Sequence, residues 1–201
     1  MTTARRHDPE ASRAAILAAA EDMFLDKGFA GASLSEIAKA SGVTKSLIHH
    51  HFGSKEALWA EVKRASFAHY YDLQMALFAN TGDSVELLRA SMETYFRILQ
   101  ERPAMMRMLW WMLLEDDREC VDMVDDLCRV GVEHIEAAQR AGIVRADVSA
   151  RHILTMFLGL VRAFFADPAS HHLDHEPPTE ADARAYLESA WAVFAQGVLP
   201  R

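Results

Sequence analysis

The sequence predicts an all-α protein of about nine helices, and three observations support this fold class. Good helix formers such as alanine, leucine, methionine and arginine are abundant. Only nine glycines and six prolines interrupt the 201 residues. No segment shows the strict alternation of apolar and polar residues that is typical of a half-buried strand. The pattern predicts a small N-terminal domain at residues 1–54 and a larger helical domain at residues 55–201.

The first two helices are predicted at residues 12–27 and 33–41. Ser12 is a candidate N-cap for the first helix, and Gly28 follows it as a stop. The second helix opens with a serine that is followed three residues later by a glutamate, which matches the capping box.

A glycine turn joins the second helix to a third, which is predicted at residues 44–52. Gly42 is free to take the left-handed conformation that closes a tight turn. Thr44 is then the N-cap of the third helix. Caps, prolines and apolar periodicity predict six more helices at about 55–79, 84–102, 104–115, 118–141, 149–166 and 179–196, with a polar loop at 167–178.

Two short helices joined by a glycine turn are typical of a helix-turn-helix. Ala38 allows the two helices to cross closely, while Val43 and Ile48 fill the space between them. The exposed face of the third helix offers hydrogen-bond donors and acceptors and no acidic residue, which suits the major groove of DNA. An ordinary core hairpin is the alternative interpretation. The residues of this face are Thr44, Lys45, Ser46, His49 and His50.

Residues 12–62 resemble the N-terminal domain of the tetracycline-repressor (TetR-like) family. The resemblance implies a homodimer that binds a palindromic double-stranded DNA operator and represses transcription until a small molecule binds its C-terminal domain. The matching residues are Phe24, Gly28, Ile37, Ala38, Gly42, Val43, His51, Phe52, Lys55 and Leu58.

The resemblance also implies which residues contact DNA. Thr44, Lys45, Ser46 and Leu47 match the part of the recognition helix that meets bases, and Lys55 matches a lysine that contacts phosphate. A helix N-terminus at Lys55 supports that role, because its free N–H groups attract anions. This chain has His49 where the family usually has a tyrosine, and His50 where the family often has an aromatic residue. The complete set of DNA-binding candidates is Ser33, Ser35, Thr44, Lys45, Ser46, Leu47, His49, His50 and Lys55.

The segment 105–114 is apolar nearly all round, which favours a core helix and also suits the wall of a ligand pocket. Candidate pocket residues are Tyr95, Phe96, Met108, Trp111, Met112 and Phe157. The last two helices carry wide apolar stripes, and these predict either a four-helix interface with a second copy or burial within the chain. Candidate interface residues are Leu154, Leu158, Val161, Phe165, Leu187, Trp191 and Phe194.

The distribution of charge and the lack of certain motifs limit the classes of protein to which this chain can belong. Residues 1–64 carry nine basic and eight acidic side chains, whereas residues 65–201 carry twelve and twenty-one, which suits a protein that approaches a polyanion with its N-terminal part. The sequence has no catalytic motif and no apolar run long enough for a membrane span, so we expect neither an enzyme nor a cofactor. We interpret His171, His172, Asp174 and His175 as solvated rather than metal-binding.

The sequence therefore predicts a ligand-responsive DNA-binding regulator, with a coactivator of the same fold that acts through protein contacts as the alternative. The long fourth helix, at 55–79, contains no glycine or proline. We expect it to couple a ligand held against the sixth helix to the position of its own N-terminal end. Cys120 and Cys128 would lie about 12 Å apart on one helix, too far for a disulfide, so we expect a reducing, cytoplasmic setting.

Overall fold

The structure is a computed structural model that describes residues 8–80, 82, 84–117, 122–166 and 178–200. The described residues form nine α-helices and no strand, which confirms the predicted all-α fold. Residues 167–177 of the loop predicted at 167–178, with their histidines, and Cys120 lie outside the described residues. The helices are α1 (Pro9–Gly31), α2 (Leu34–Ser41), α3 (Lys45–Phe52), α4 (Lys55–Asn80), α5 (Val85–Glu101), α6 (Pro103–Leu114), α7 (Asp122–Arg140), α8 (Ala150–Ala166) and α9 (Glu180–Val198).

The chain divides into two compact units. The first unit takes residues 1–66 and 107–121, and the second takes residues 67–106 and 122–201. Helices α4 and α6 therefore each contribute residues to both units. The predicted domain boundary between residues 54 and 55 stays a prediction.

Helix α1 begins one turn earlier than the sequence suggested. Asp8 is the N-cap, since its carboxylate accepts hydrogen bonds from the next turn, and Pro9 follows at the first helical position. Ser12 is not the cap: it is buried, and its hydroxyl donates to the Asp8 carbonyl over 2.9 Å. The Asp-Pro pair therefore starts α1.

Gly28 interrupts α1, as predicted, but a further turn follows it and the helix ends at Gly31. Gly28 has φ 72° and ψ 175°, a region open almost only to glycine. A methyl group at Gly28 would lie 2.7 Å from both the Trp111 ring and the Glu115 carboxylate. Both the backbone angle and the close contact therefore require glycine at this position.

The segment 107–115 is hydrogen-bonded to the end of α1 within the first unit. Arg107 and Trp111 both donate to the Leu25 carbonyl, over 2.6 Å and 3.0 Å. The Glu115 carboxylate accepts from the backbone N–H groups of Phe29 and Ala30, over 3.2 Å and 3.1 Å. These bonds satisfy backbone groups that the kink at Gly28 leaves without helical partners.

A buried ion pair joins the same segment to α4. Lys63 Nζ lies 2.8 Å from Asp117 Oδ2, and the indole N–H of Trp59 donates to that oxygen over 2.6 Å. The lysine side chain is only 3% exposed. Because a buried charge is costly without its partner, this pair holds the segment 107–117 against α4 within the first unit.

The second unit is built around α8, which packs against α5, α7 and α9. Aromatic rings fill its centre: Phe96 of α5 contacts Phe164 of α8 with ring centroids 5.2 Å apart. The hydroxyl of Tyr186, on α9, donates to the Leu160 carbonyl over 2.6 Å. The unit therefore has a dense core of its own.

Replacing Gly28 with alanine should destabilise the protein by about 3 kcal/mol or more, because the substitution strains the backbone and drives a methyl group into Trp111 and Glu115. Gly42→Ala is the matched control. Gly42 also has a positive φ, 70°, but a Cβ atom added there has nothing within 4 Å. The control substitution should therefore lower the free energy of unfolding by only about 1 kcal/mol. Urea unfolding of both variants checks this, and equal losses would contradict the close contact.

Asp117→Asn should cost about 3 kcal/mol, because it removes the negative charge beside buried Lys63 and keeps an oxygen for the indole of Trp59. Asp147→Asn breaks an exposed pair with Arg145 and serves as the control with little effect on stability. Thermal unfolding measures both variants. A stability of Asp117→Asn equal to that of the control would show that the buried pair contributes nothing.

Candidate nucleic-acid interface

Helices α2 and α3 form the predicted hairpin around Gly42. Gly42 is left-handed, with φ 70° and ψ 20°, and the N–H of Val43 donates to the Ala38 carbonyl over 3.1 Å. Thr44 caps α3, since its hydroxyl oxygen accepts from the N–H of Leu47 over 3.2 Å. The local geometry is therefore that of a helix-turn-helix.

The inner side of the hairpin is closed by apolar contacts. Ile37 and Ile48 are fully buried and Ala38 is nearly so, while Val43 is half-buried. This core orients α3 so that its opposite face meets solvent. The exposed residues on that face are Thr44, Lys45, Ser46, His49 and His50, as the sequence predicted, while Leu47 is half-buried.

His49 is fixed at the end of α3 by the Gly53 carbonyl, which lies 2.8 Å from its Nδ1. This contact requires a hydrogen on Nδ1, so Nε2 of the neutral ring carries a lone pair and accepts hydrogen bonds. A neutral His49 therefore cannot donate to phosphate through Nε2. His50 makes no such backbone contact, and its exposed ring lies beside the His51 ring.

Lys55 is the first residue of α4, next to the capping residue Ser54. The Ser54 hydroxyl oxygen accepts from the N–H of Ala57, over 3.1 Å. The Lys55 ammonium lies 4.4 Å from the centre of the Phe29 ring, which fixes it at the helix N-terminus. Charge and helix dipole thus favour an anion at the same place.

Ser33 is more constrained than the sequence indicated. Its oxygen accepts from the N–H of Glu36 over 3.2 Å, and its hydroxyl donates to the Glu36 carboxylate over 2.7 Å. Lys27 pairs with that carboxylate, and the hydrogen bonds from Lys27 and Ser33 hold the pKa of Glu36 below its ordinary value. Contact between Ser33 and a phosphate would compete with Glu36, whereas Ser35 is exposed.

The six candidate pocket residues are divided between the two units. Met108, Trp111 and Met112 belong to the first unit, where Trp111 is bonded to α1. The other three belong to the second unit and are buried in its core. They are Tyr95, Phe96 and Phe157. A pocket that these six residues line stays a prediction.

The candidate interface residues of α8 and α9 also differ in exposure. Val161 and Phe194 are buried inside the second unit, which agrees with burial within the chain, the alternative that the sequence left open for these stripes. Leu154, Leu158, Phe165, Leu187 and Trp191 are half-buried and retain surface for an interface. Met156 and Val193, which belong to the apolar stripes that the sequence showed, are the exposed large apolar residues on these two helices.

Two arginines in apolar segments have structural roles that the sequence interpretation missed. Arg107 interrupts the apolar run of α6 and donates to a backbone carbonyl of α1. Arg162 interrupts α8 and donates to the hydroxyl of Tyr95. A single charge in an apolar run is the signal that would have identified both, because such a charge needs a polar partner.

Within the described ranges, no group of three or more histidine, cysteine, aspartate or glutamate side chains is arranged to hold a metal ion. No described helix is both long and apolar enough to cross a membrane. His171, His172, Asp174 and His175 lie outside these ranges.

Comparison with protein families gives two matches. Residues 16–62 match the model described as bacterial regulatory proteins, tetR family. Residues 91–192 match the model described as tetracyclin repressor-like, C-terminal domain. The first match contains α2, α3 and the exposed face of α3, and the second covers most of the second unit.

Several similar proteins are named as regulators of transcription. The chain is 29% identical to the HTH-type transcriptional regulator YdgC of Bacillus subtilis over 154 residues, 75% of this chain and 77% of that protein. It is 26% identical to the HTH-type transcriptional activator FasR of Mycolicibacterium smegmatis over 192 residues, 94% and 85% of the two chains. A crystal structure of AibR with isovaleryl coenzyme A and operator DNA has the same fold, with a TM-score of 0.70 at 20% identity, covering 90% and 97% of the two chains.

Lys55→Ala should reduce the salt dependence of binding to promoter DNA, because each lost phosphate contact lowers the slope of log K against log salt by about 1 per protomer. Arg151→Ala, which removes an exposed charge from α8, is the control and should leave the slope unchanged. Fluorescence anisotropy with labelled duplex across a salt series measures both slopes. Equal slopes for Lys55→Ala and the unmodified protein would remove Lys55 from the interface.

Proposed function

Because this chain belongs to the TetR family of bacterial regulatory proteins, we propose that it is a ligand-responsive repressor of transcription. It binds a palindromic operator as a homodimer and is released by a small apolar or amphipathic molecule. A protein that works on operator DNA works in the cytoplasm. Family membership also agrees with the expectation that the chain is not an enzyme.

One observation carries the DNA-binding part of the proposal: the exposed face of α3 contains donors and a cation and no carboxylate. Lys45 and Ser46 are exposed beside Thr44, and α3 is held by a closed apolar core behind them. Such a face meets base edges and phosphates without repulsion. Lys55 adds a second cation at the adjacent helix N-terminus.

The effector part of the proposal is supported by the family resemblance and by a neighbour. AibR, which has this fold, has been crystallised with both isovaleryl coenzyme A and operator DNA. Helix α4 contributes residues to both units of this chain and contains no glycine or proline. We propose that effector binding alters the position of its Lys55 end. A hundredfold loss of DNA affinity requires about 2.7 kcal/mol of differential binding.

A homodimer through α8 and α9 completes the proposal. These helices carry the exposed apolar residues Met156 and Val193 and also the half-buried Leu158 and Trp191. A twofold mate would bury them in a four-helix arrangement. The two recognition helices of a dimer would then enter successive major grooves, roughly 34–36 Å apart or a little more.

The closest alternative is a coactivator of the same fold that acts through protein contacts and no longer binds an operator. Exposed Lys45 and half-buried Lys55, which such a protein would not need, favour the operator-binding function. The direction of control is a separate question, because the similar protein FasR is named an activator. Where the operator lies relative to the promoter decides it.

Gel retardation with the duplex upstream of the gene for this protein tests the proposal. We expect a complex at low salt that is lost steeply as salt rises, since phosphate contacts release counterions. A triple variant, Thr44→Ala, Lys45→Ala and Ser46→Ala, should abolish the complex, while Arg151→Ala should retain it. Transcription from the same promoter should fall when the protein is added.

No retarded complex with any genomic fragment at low salt would contradict operator binding and favour the coactivator. A complex that raises transcription would contradict only the repressor assignment. Light scattering at micromolar concentration should give the mass of a dimer, and a monomer would contradict the proposed geometry.

A further inference from the structure

Five polar side chains lie together in the second unit, on three different helices. We call them the inner polar cluster: Tyr70 and Gln74 of α4, Ser91 and Tyr95 of α5, and Arg162 of α8. The Tyr70 and Tyr95 rings have centres 5.0 Å apart, and Arg162 Nε donates to the Tyr95 hydroxyl over 2.7 Å. One turn along both helices, Gln74 Nε2 donates to Ser91 Oγ over 2.7 Å.

Several polar groups of the cluster have no partner among the described residues. Gln74 is 3% exposed, and its Oε1 accepts no hydrogen bond. If the amide plane turns, the oxygen meets Ser91 and the amino group becomes the unpartnered donor. Arg162 uses only Nε, so its four remaining N–H groups donate to no described residue.

The charge of Arg162 is not neutralised within the described part of the chain, where no carboxylate forms an ion pair with it. Burial raises the pKa of the Tyr70 hydroxyl, and neighbouring Tyr95 raises it further, against a lowering by Arg162. Burial likewise raises the pKa of Tyr95. Both tyrosines are therefore neutral donors at physiological pH, and neither supplies a negative charge to the guanidinium.

The cluster is not sealed from solvent. Tyr70 and Arg162 are both half-buried and retain accessible surface, so a small molecule can reach them. Large apolar side chains on the same α4 and on α7 are only half-buried, among them Leu73, Leu77, Phe78 and Leu127.

We propose that the inner polar cluster binds the carboxylate of an amphipathic organic acid and that Arg162 recognises the anion. The guanidinium offers a pair of parallel N–H groups that match a carboxylate, and the two tyrosine hydroxyls add donors. Gln74 adds a further donor when its amide is turned so that Nε2 rather than Oε1 faces the anion. The half-buried apolar side chains of α4 and α7 supply surface for the tail. This inference rests on the proposed function, in which a small molecule controls DNA binding, and it names the chemical class of that molecule.

Displacement of the fluorescent dye N-phenyl-1-naphthylamine from the full-length protein tests the proposal, with decanoate and 1-decanol as competitors. The two competitors share a ten-carbon chain and differ in the carboxylate. Decanoate should bind the unmodified protein about tenfold more tightly than decanol, or more, because it gains charge-assisted hydrogen bonds. The ratio of the affinity for decanoate to the affinity for decanol should fall close to one in Arg162→Met, and dye binding should be unchanged.

Arg151→Met is the matched control, since it removes an exposed arginine from the same helix and should keep the full ratio. If Arg162→Met loses its helical circular dichroism, Arg162→Gln replaces it and should give the same collapse of the ratio. A ratio that survives both substitutions would overturn the proposal, as would an unmodified protein that prefers decanol or fails to bind the dye. The assay contains no DNA, so failure of operator binding and failure of this inference are distinguished.

Discussion

The contact between Gly28 and the segment 107–117 is the constraint on which the first unit depends. Trp111 and Glu115 lie so close to Gly28 that no side chain fits there, and Glu115 accepts the N–H groups of Phe29 and Ala30. The bond to Glu115 holds the backbone of Phe29, whose ring in turn lies beneath the Lys55 ammonium. A carboxylate at the end of α6 thus helps to place the lysine proposed to contact phosphate.

This arrangement gives the proposed regulation a physical route. The segment 107–117 is held to α1 by hydrogen bonds and to α4 by the buried pair of Lys63 and Asp117. Movement of this segment would strain both attachments together, because the lysine cannot lose its buried partner without a large cost. Helix α6, which includes part of this segment, also contributes residues to the second unit, where we place the effector.

The sequence predicted features set by local rules and missed those set by distant contacts. The left-handed Gly42, the Thr44 cap and the exposed face of α3 follow from residues within a few positions, and all were predicted correctly. The N-cap at Asp8 was missed because Ser12 offered an equally good local signal. The sequence around Glu115, Asp117 and Arg162 does not show which distant residues these side chains bind. Their partners, Phe29, Lys63 and Tyr95, become apparent only in the folded structure.

Site-directed cleavage of operator DNA tests most directly whether the exposed face of α3 enters the major groove in a twofold complex. An iron chelate attached through Ser46→Cys should cut the duplex at two symmetric positions, about one helical turn apart or slightly more. The same reagent on the unmodified protein reports the background from its two natural cysteines, and Arg151→Cys serves as a distant attachment point. Cleavage from Ser46→Cys that equals either control would contradict the account.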